Sequence, residues 1–118
     1  MSLDDVVAAS EEQSELLEKL KDLIKKSEDR VLTEEEIESI NQILTRLSEL
    51  RRSITSLTDM EGEDADLLKE FYALVGGEEE KMIFQDLLEA VKKGKINIPK
   101  EVIEDHIREI EKFIRLFR

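Results

Sequence analysis

The residues best able to do chemistry fall in three places. Carboxylates crowd the segment that holds Asp59, Glu61, Glu63, Asp64 and Asp66, a density that could draw a divalent cation. An EF-hand loop needs oxygen ligands at fixed positions, Gly at the sixth and Glu at the twelfth. With Gly62 as the sixth, the first and twelfth positions are Leu57 and Leu68. The pattern fails, and no metal is expected. His106 is the only histidine, with Glu109 three residues on. A di-iron bundle needs two Glu-x-x-His pairs and further carboxylates. His106 is therefore expected to border the core and to hydrogen-bond locally. The third place is Lys92, Lys93, Lys95 and Lys100 around Gly94. These lysines form a candidate electrostatic patch for phosphate or an acidic partner, although cations at a helix end also complement its dipole.

Other chemistries are absent from the sequence. There is no Cys, which excludes thiolate metal sites and cysteine nucleophiles and suits a reducing, cytoplasmic setting. Glycine-rich phosphate loops, nucleophile elbows and HExxH motifs do not occur. The expectation is a protein that is not an enzyme and needs no cofactor. No run approaches the roughly 18 apolar residues of a membrane span. The net charge is −12, so phosphate is repelled and non-specific nucleic-acid binding is not expected. The excess is uneven: residues 59–80 carry nine acids and one base, whereas residues 81–118 carry seven acids and nine bases. Attraction between the acidic segment and the lysine patch follows from sign alone.

These side chains must be positioned by helices. Charged residues make up 41% of the chain, with four Gly and one Pro, a composition of long helices rather than strands. Dominance of Glu, Lys, Leu and Ile also matches thermophile usage, which helical composition by itself produces. Thr33 and Glu36 have the spacing of a capping box, flanked by Leu32 and Ile37 as a staple. Ile37, Ile40, Leu44, Leu47, Leu50, Ile54 and Leu57 then recur at steps of three and four. An earlier helix carries Val6, Leu16, Leu17, Leu20, Leu23 and Ile24, with a polar gap from Ala9 to Glu15 that predicts fraying of the first dozen residues. A third stripe is Leu67, Leu68, Phe71, Leu74 and Val75, ended by a left-handed cap at Gly76-Gly77. A fourth helix runs from Glu78 to Lys93, and a fifth begins at Pro99.

The sequence thus predicts an all-α fold of about five helices, an N-terminal antiparallel coiled-coil-like hairpin followed by a three-helix bundle. Residues 1–58 form the aliphatic hairpin, 59–66 an acidic linker and 67–118 a three-helix globule, within one compact domain. All aromatic residues lie from Phe71 onward, which supports the division. The functional expectation is a protein-interaction module, a small subunit or adaptor that binds a protein partner through its apolar seam Ile37, Ile40, Leu44, Leu47, Leu50, Ile54 and Leu57. A narrow seam on a hairpin suits self-association, with a homodimer as the expected form. The alternative is an acidic accessory factor of nucleic-acid machinery, acting through a protein partner or as a phosphate mimic.

Overall fold

The computed structural model describes residues 3–55, 62–63, 66–67, 70 and 76–117. Within them the chain is all-helical, with no strand, and four helices are present. They are α1 (Leu3–Asp29), α2 (Glu34–Thr55), α3 (Gly77–Lys92) and α4 (Lys100–Leu116). Five helices were expected. The stripe at Leu68, Phe71, Leu74 and Val75 lies outside the described residues, as does Leu57.

Local chemistry sets the two tight turns. Thr33 N–H donates to Glu36 Oε1 at 2.9 Å and Glu36 N–H donates to Thr33 Oγ1 at 3.2 Å, so the capping box is formed. Arg30 grips the same carboxylate with both terminal nitrogens, at 2.7 and 2.8 Å. Those two partners, Arg30 first, hold the Glu36 carboxyl down at about 2. At the other turn Gly94 adopts φ 76°, where a Cβ would be strained. Gly94 N–H donates to Val91 O and Lys95 N–H to Ala90 O, a Schellman closure of α3. The two turns meet: Leu32 N–H donates to Lys95 O at 3.0 Å. Leu32, Ile96 and Ile98 are buried beneath that bond and close this end of the bundle.

Contacts define the topology. Each tight turn joins an antiparallel pair, α1 with α2 and α3 with α4. Gln13 of α1 meets Glu80 near the start of α3, and Ile24 and Ser27 share a cleft with Ala90 and Lys93 near its end. So α1 runs parallel to α3. The adjacent pairs are α1–α2, α3–α4, α1–α3 and, most thinly, α2–α4. The diagonals are therefore α1–α4 and α2–α3. Consequently Thr55 and Gly77 lie at opposite corners of the same end, and the acidic segment is the connection between them.

One apolar cluster runs through all four helices, from Leu17 and Leu20 through Ile40, Leu44 and Leu47 to Phe84, Leu87, Ile103 and Ile110. A second, at the end away from the tight turns, joins Val6, Ala9, Leu50, Ile54 and Phe113. The predicted fraying is thus corrected: α1 starts at Leu3, and Val6 is fully buried because α2 and α4 supply its cover. The α2 stripe is corrected as well. Its buried face includes Ile43, Ser48 and Arg51 beside the expected residues. It is wider than a two-helix seam because α2 packs against α1 and α4 together.

Gly76 and Gly77 do not form the expected left-handed cap. Gly76 has φ −64° and ψ −40°, and Gly77 opens α3. Their requirement is space. A Cβ on Gly76 would meet Gln13 Oε1 at 2.8 Å, and one on Gly77 would meet Ile114 Cγ1 at 2.9 Å. Ile114 is itself buried in the core. Overpacking such a site costs about 1–3 kcal/mol, which exceeds the fraction of the roughly 1 kcal/mol Gly-to-Ala helix gain available at a first helical position. Gly77→Ala is therefore expected to lower the urea midpoint of unfolding. A raised midpoint would show that Ile114 turns aside at no cost.

Candidate functional site

Three helices carry a polar residue in an apolar register. In α1, Gln13 falls between Ala9 and Leu17. In α2, Arg51 falls between Leu47 and Ile54. In α3, Glu80 stands three and four residues before Ile83 and Phe84. Helical spacing turns all of them inward, and all are buried: Gln13 is 5% exposed, Arg51 5% and Glu80 0%.

Burial of these groups is compensated by mutual bonding. Gln13 Nε2 donates to Glu80 Oε2 at 3.1 Å. Arg51 donates to Glu80 Oε1 through one terminal nitrogen. Its other terminal nitrogen lies 3.3 Å from His106 Nδ1 and 3.4 Å from Glu109 Oε2. An arginine can only donate, so Nδ1 accepts and the neutral ring carries its proton on Nε2. The His106 ring also stands edge-on to Phe84, with centroids 5.7 Å apart. Every helix thus contributes: Gln13 from α1, Arg51 from α2, Glu80 from α3, His106 and Glu109 from α4. Among the described residues no buried side-chain polar atom lacks a partner.

Burial raises the Glu80 carboxyl to about 6, against the opposing pull of Arg51 and Gln13. Burial first, then the charge of Arg51, pushes His106 below its ordinary value, with Glu109 and Asp105 opposing. An acid and an imidazole with shifted pKa values can mark a catalytic site, but structural ion-pair networks shift them too. Here access decides. Glu80 has no exposed surface. Beside the clamp lies a groove of about 200 Å3 between α2 and α4, lined by Ser48, Arg51, Arg52, Thr55, Glu109, Lys112, Phe113 and Leu116. It reaches the arginine and not the carboxylate. The arrangement acts as a clamp with one cationic edge turned to the groove.

The residues singled out in the sequence take other places. Ile40, Leu44, Leu47, Leu50 and Ile54 are buried in the chain's own core and Ile37 is partly buried, so this seam is filled from within. His106 borders the core as expected, but its bonding partner is Arg51, far off in sequence. Lys92, Lys93 and Lys100 are exposed at the tight-turn end. Lys93 and Lys95 line a second cleft, of about 500 Å3, where Glu28, Asp86 and Glu89 interleave with them. They stand at the end of α3 opposite Gly77, about 24 Å along a 16-residue helix. The acidic segment is thus attached at the end remote from the lysines. Asp59, Glu61 and Asp64 lie outside the described residues. No three His, Cys, Asp or Glu side chains among the described residues gather as a metal site would require. Comparisons with protein-family models, curated proteins and solved structures find no match to this chain.

Two outcomes follow from the clamp. Removing one member of a buried ion pair leaves an uncompensated charge and costs about 3–5 kcal/mol, whereas apolar replacement of the whole set is often neutral or stabilising. Arg51→Met is expected to lose that amount by urea unfolding. The triple variant Gln13→Leu/Arg51→Met/Glu80→Leu is expected to recover it. A single-variant cost below about 1 kcal/mol would show that Glu80 is not held as an anion by Arg51.

The pH dependence has two opposed parts. The Glu80 pKa is raised in the fold, so its stabilising contribution is present below about 4.5 and is lost as pH rises through about 6. That contribution is on the order of 2 kcal/mol. The His106 pKa is depressed, so its contribution is present above 6.5 and is lost as pH falls through the folded value. A neutral His106→Asn background isolates Glu80. There, stability should fall between pH 5 and pH 6 relative to His106→Asn/Glu80→Gln (roughly the window of the Glu80 shift). Parallel curves for the two variants would remove Glu80 as the titrating group.

Proposed function

We propose that this protein is a non-enzymatic interaction module, a small helical subunit or adaptor that receives a side chain of a protein partner. The observation that carries this reading is the groove between α2 and α4. Its apolar part is Phe113 and Leu116, the latter 56% exposed. Its rim is cationic, with Arg51, Arg52 and Lys112 against the single carboxylate of Glu109. Such a rim is unusual ground on a chain of net charge −12. At about 200 Å3 the groove falls below the roughly 300–1,000 Å3 of small-molecule pockets. It suits one large apolar side chain with acidic neighbours. The clamp supports it physically, since Arg51 on one wall is bonded to His106 and Glu109 on the other. A preformed wall lowers the ordering cost of association.

A partner docking on the α2 stripe would require the core to open, because Ile40, Leu44, Leu47, Leu50 and Ile54 are buried. The alternative of an acidic accessory factor rests on the charge excess and leaves the groove unused. Site-specific photo-cross-linking separates the two. A benzophenone amino acid at position 116 is expected to capture a protein in native extract, and Arg52→Glu is expected to weaken that capture several-fold. The same probe at position 45, on the outer face of α2, serves as control. Equal capture at the two positions would sink the reading.

A further inference from the structure

One exposed feature of the same chain has the complementary chemistry. Asp66 N–H donates to Gly62 O at 3.0 Å, which closes one helical turn. Glu63, Asp66, Leu67 and Glu70 are spaced i, i+3, i+4 and i+7, the spacing of a single helical face. All four are exposed, and Leu67 is 64% exposed, among the largest apolar exposures of the described residues. Leu67 therefore does not fill the chain's own groove. It forms an apolar knob rimmed by carboxylates, and the groove is an apolar hollow rimmed by Arg52 and Lys112. No ion pair is formed by Arg52, Lys112, Glu63 or Asp66 among the described residues.

We infer that the occupant of the groove is a second copy of this chain, whose Leu67 enters between α2 and α4 beside exposed Leu116 and over the edge of buried Phe113, while Glu63 and Asp66 meet Arg52 and Lys112. This inference rests on the interaction reading of the groove. Topology permits the exchange to be reciprocal. The groove includes Thr55 and Leu116, at the end of the bundle where the segment bearing Leu67 leaves α2 and returns to α3. Leu67 lies twelve residues beyond Thr55, a reach of up to about 40 Å when extended. Two copies set end to end can thus each insert a knob into the other. That is an isologous, closed arrangement with a two-fold axis. Local attraction works against the repulsion of two acidic bodies, and at physiological salt the longer-range repulsion is screened beyond roughly 8 Å.

Light scattering of the full chain tests this. Wild type is expected to reach twice 13.7 kDa at high concentration. Leu67→Ser is expected to weaken the dimer about tenfold or more while leaving helicity and the unfolding midpoint unchanged, because Leu67 is exposed in the single chain. Two charge-reversed chains sharpen the test. Arg52→Glu/Lys112→Glu makes hollow and knob both acidic, and Glu63→Lys/Asp66→Lys makes both basic. Each is expected to be monomeric alone, and an equimolar mixture is expected to form a one-to-one dimer. Wild type that stays at 13.7 kDa near millimolar concentration overturns the inference. So does a dimer that survives Leu67→Ser and both reversals unchanged. If the chain is monomeric and position 116 captures a different protein, the interaction reading stands and the second-copy occupant falls. If position 116 captures nothing, both fall.

Discussion

Arg51 and Glu80 belong to helices on opposite corners of the bundle, and their ion pair crosses its centre. Hydrophobic packing is non-directional, so apolar stripes tolerate sliding of one helix along another. The polar set does not tolerate it. A slip of one turn, about 5.4 Å, would part Gln13 from Glu80 or Arg51 from His106. It would leave buried groups without partners, at roughly 1–3 kcal/mol each and more where charged. The set therefore fixes the axial position of all four helices at once. Its contribution lies in selecting one alignment; most of the free energy of burial comes from the aliphatic clusters on either side. The glycines follow from it: Gly76 is small because Gln13 must reach past it to Glu80.

The same set links interior to surface. Arg51 faces inward to Glu80 and outward to the groove, and α2 meets α4 through few other contacts. The polar tie there reinforces a thin apolar contact, in which Leu50 and Ile54 of α2 share a buried cluster with Phe113 of α4. A wall held by directional bonds leaves the space beside it open, and that space is the hollow bounded by Phe113 and Leu116. Stability and recognition thus draw on one arginine.

Much of the architecture was legible in the sequence where the signal is local. Thr33 with Glu36, and Gly94 with its flanking lysines, identified two helix ends because caps are satisfied within a few residues. The stripes of α2, α3 and α4 were legible because burial repeats every three or four positions. The clamp was not legible. Glu80 follows Glu78 and Glu79, and three acids at a helix start have a sufficient local explanation in the dipole. Gln13 sat within a stretch that reads as a polar gap. The available signal was that Gln13, Arg51 and Glu80 each occupy an apolar register in a different helix, one a cation and one an anion. Gly76 and Gly77 misled for a related reason. A glycine pair suggests a conformational need, and the need here is the close approach of another helix, which no local pattern encodes. The width of the α2 face had a signal in Ile43, which lies outside the narrow stripe.

The hydrogen bond from Leu32 to Lys95 joins the two hairpin turns and has a mechanical consequence. It sits at one extreme of the bundle, over buried Leu32, Ile96 and Ile98. The other extreme has no such stitch among the described residues. Any scissoring of the hairpins therefore pivots about the stitched end, and displacement grows with distance from it. Over α3 and α4, of 16 and 17 residues and so about 25 Å long, a rotation of about 5° moves the far extreme by roughly 2 Å. That is the extreme at which Phe113 and Leu116 lie. The polar clamp lies toward that extreme and opposes the movement, so a backbone bond at one end and side-chain bonds toward the other hold the two hairpins closed.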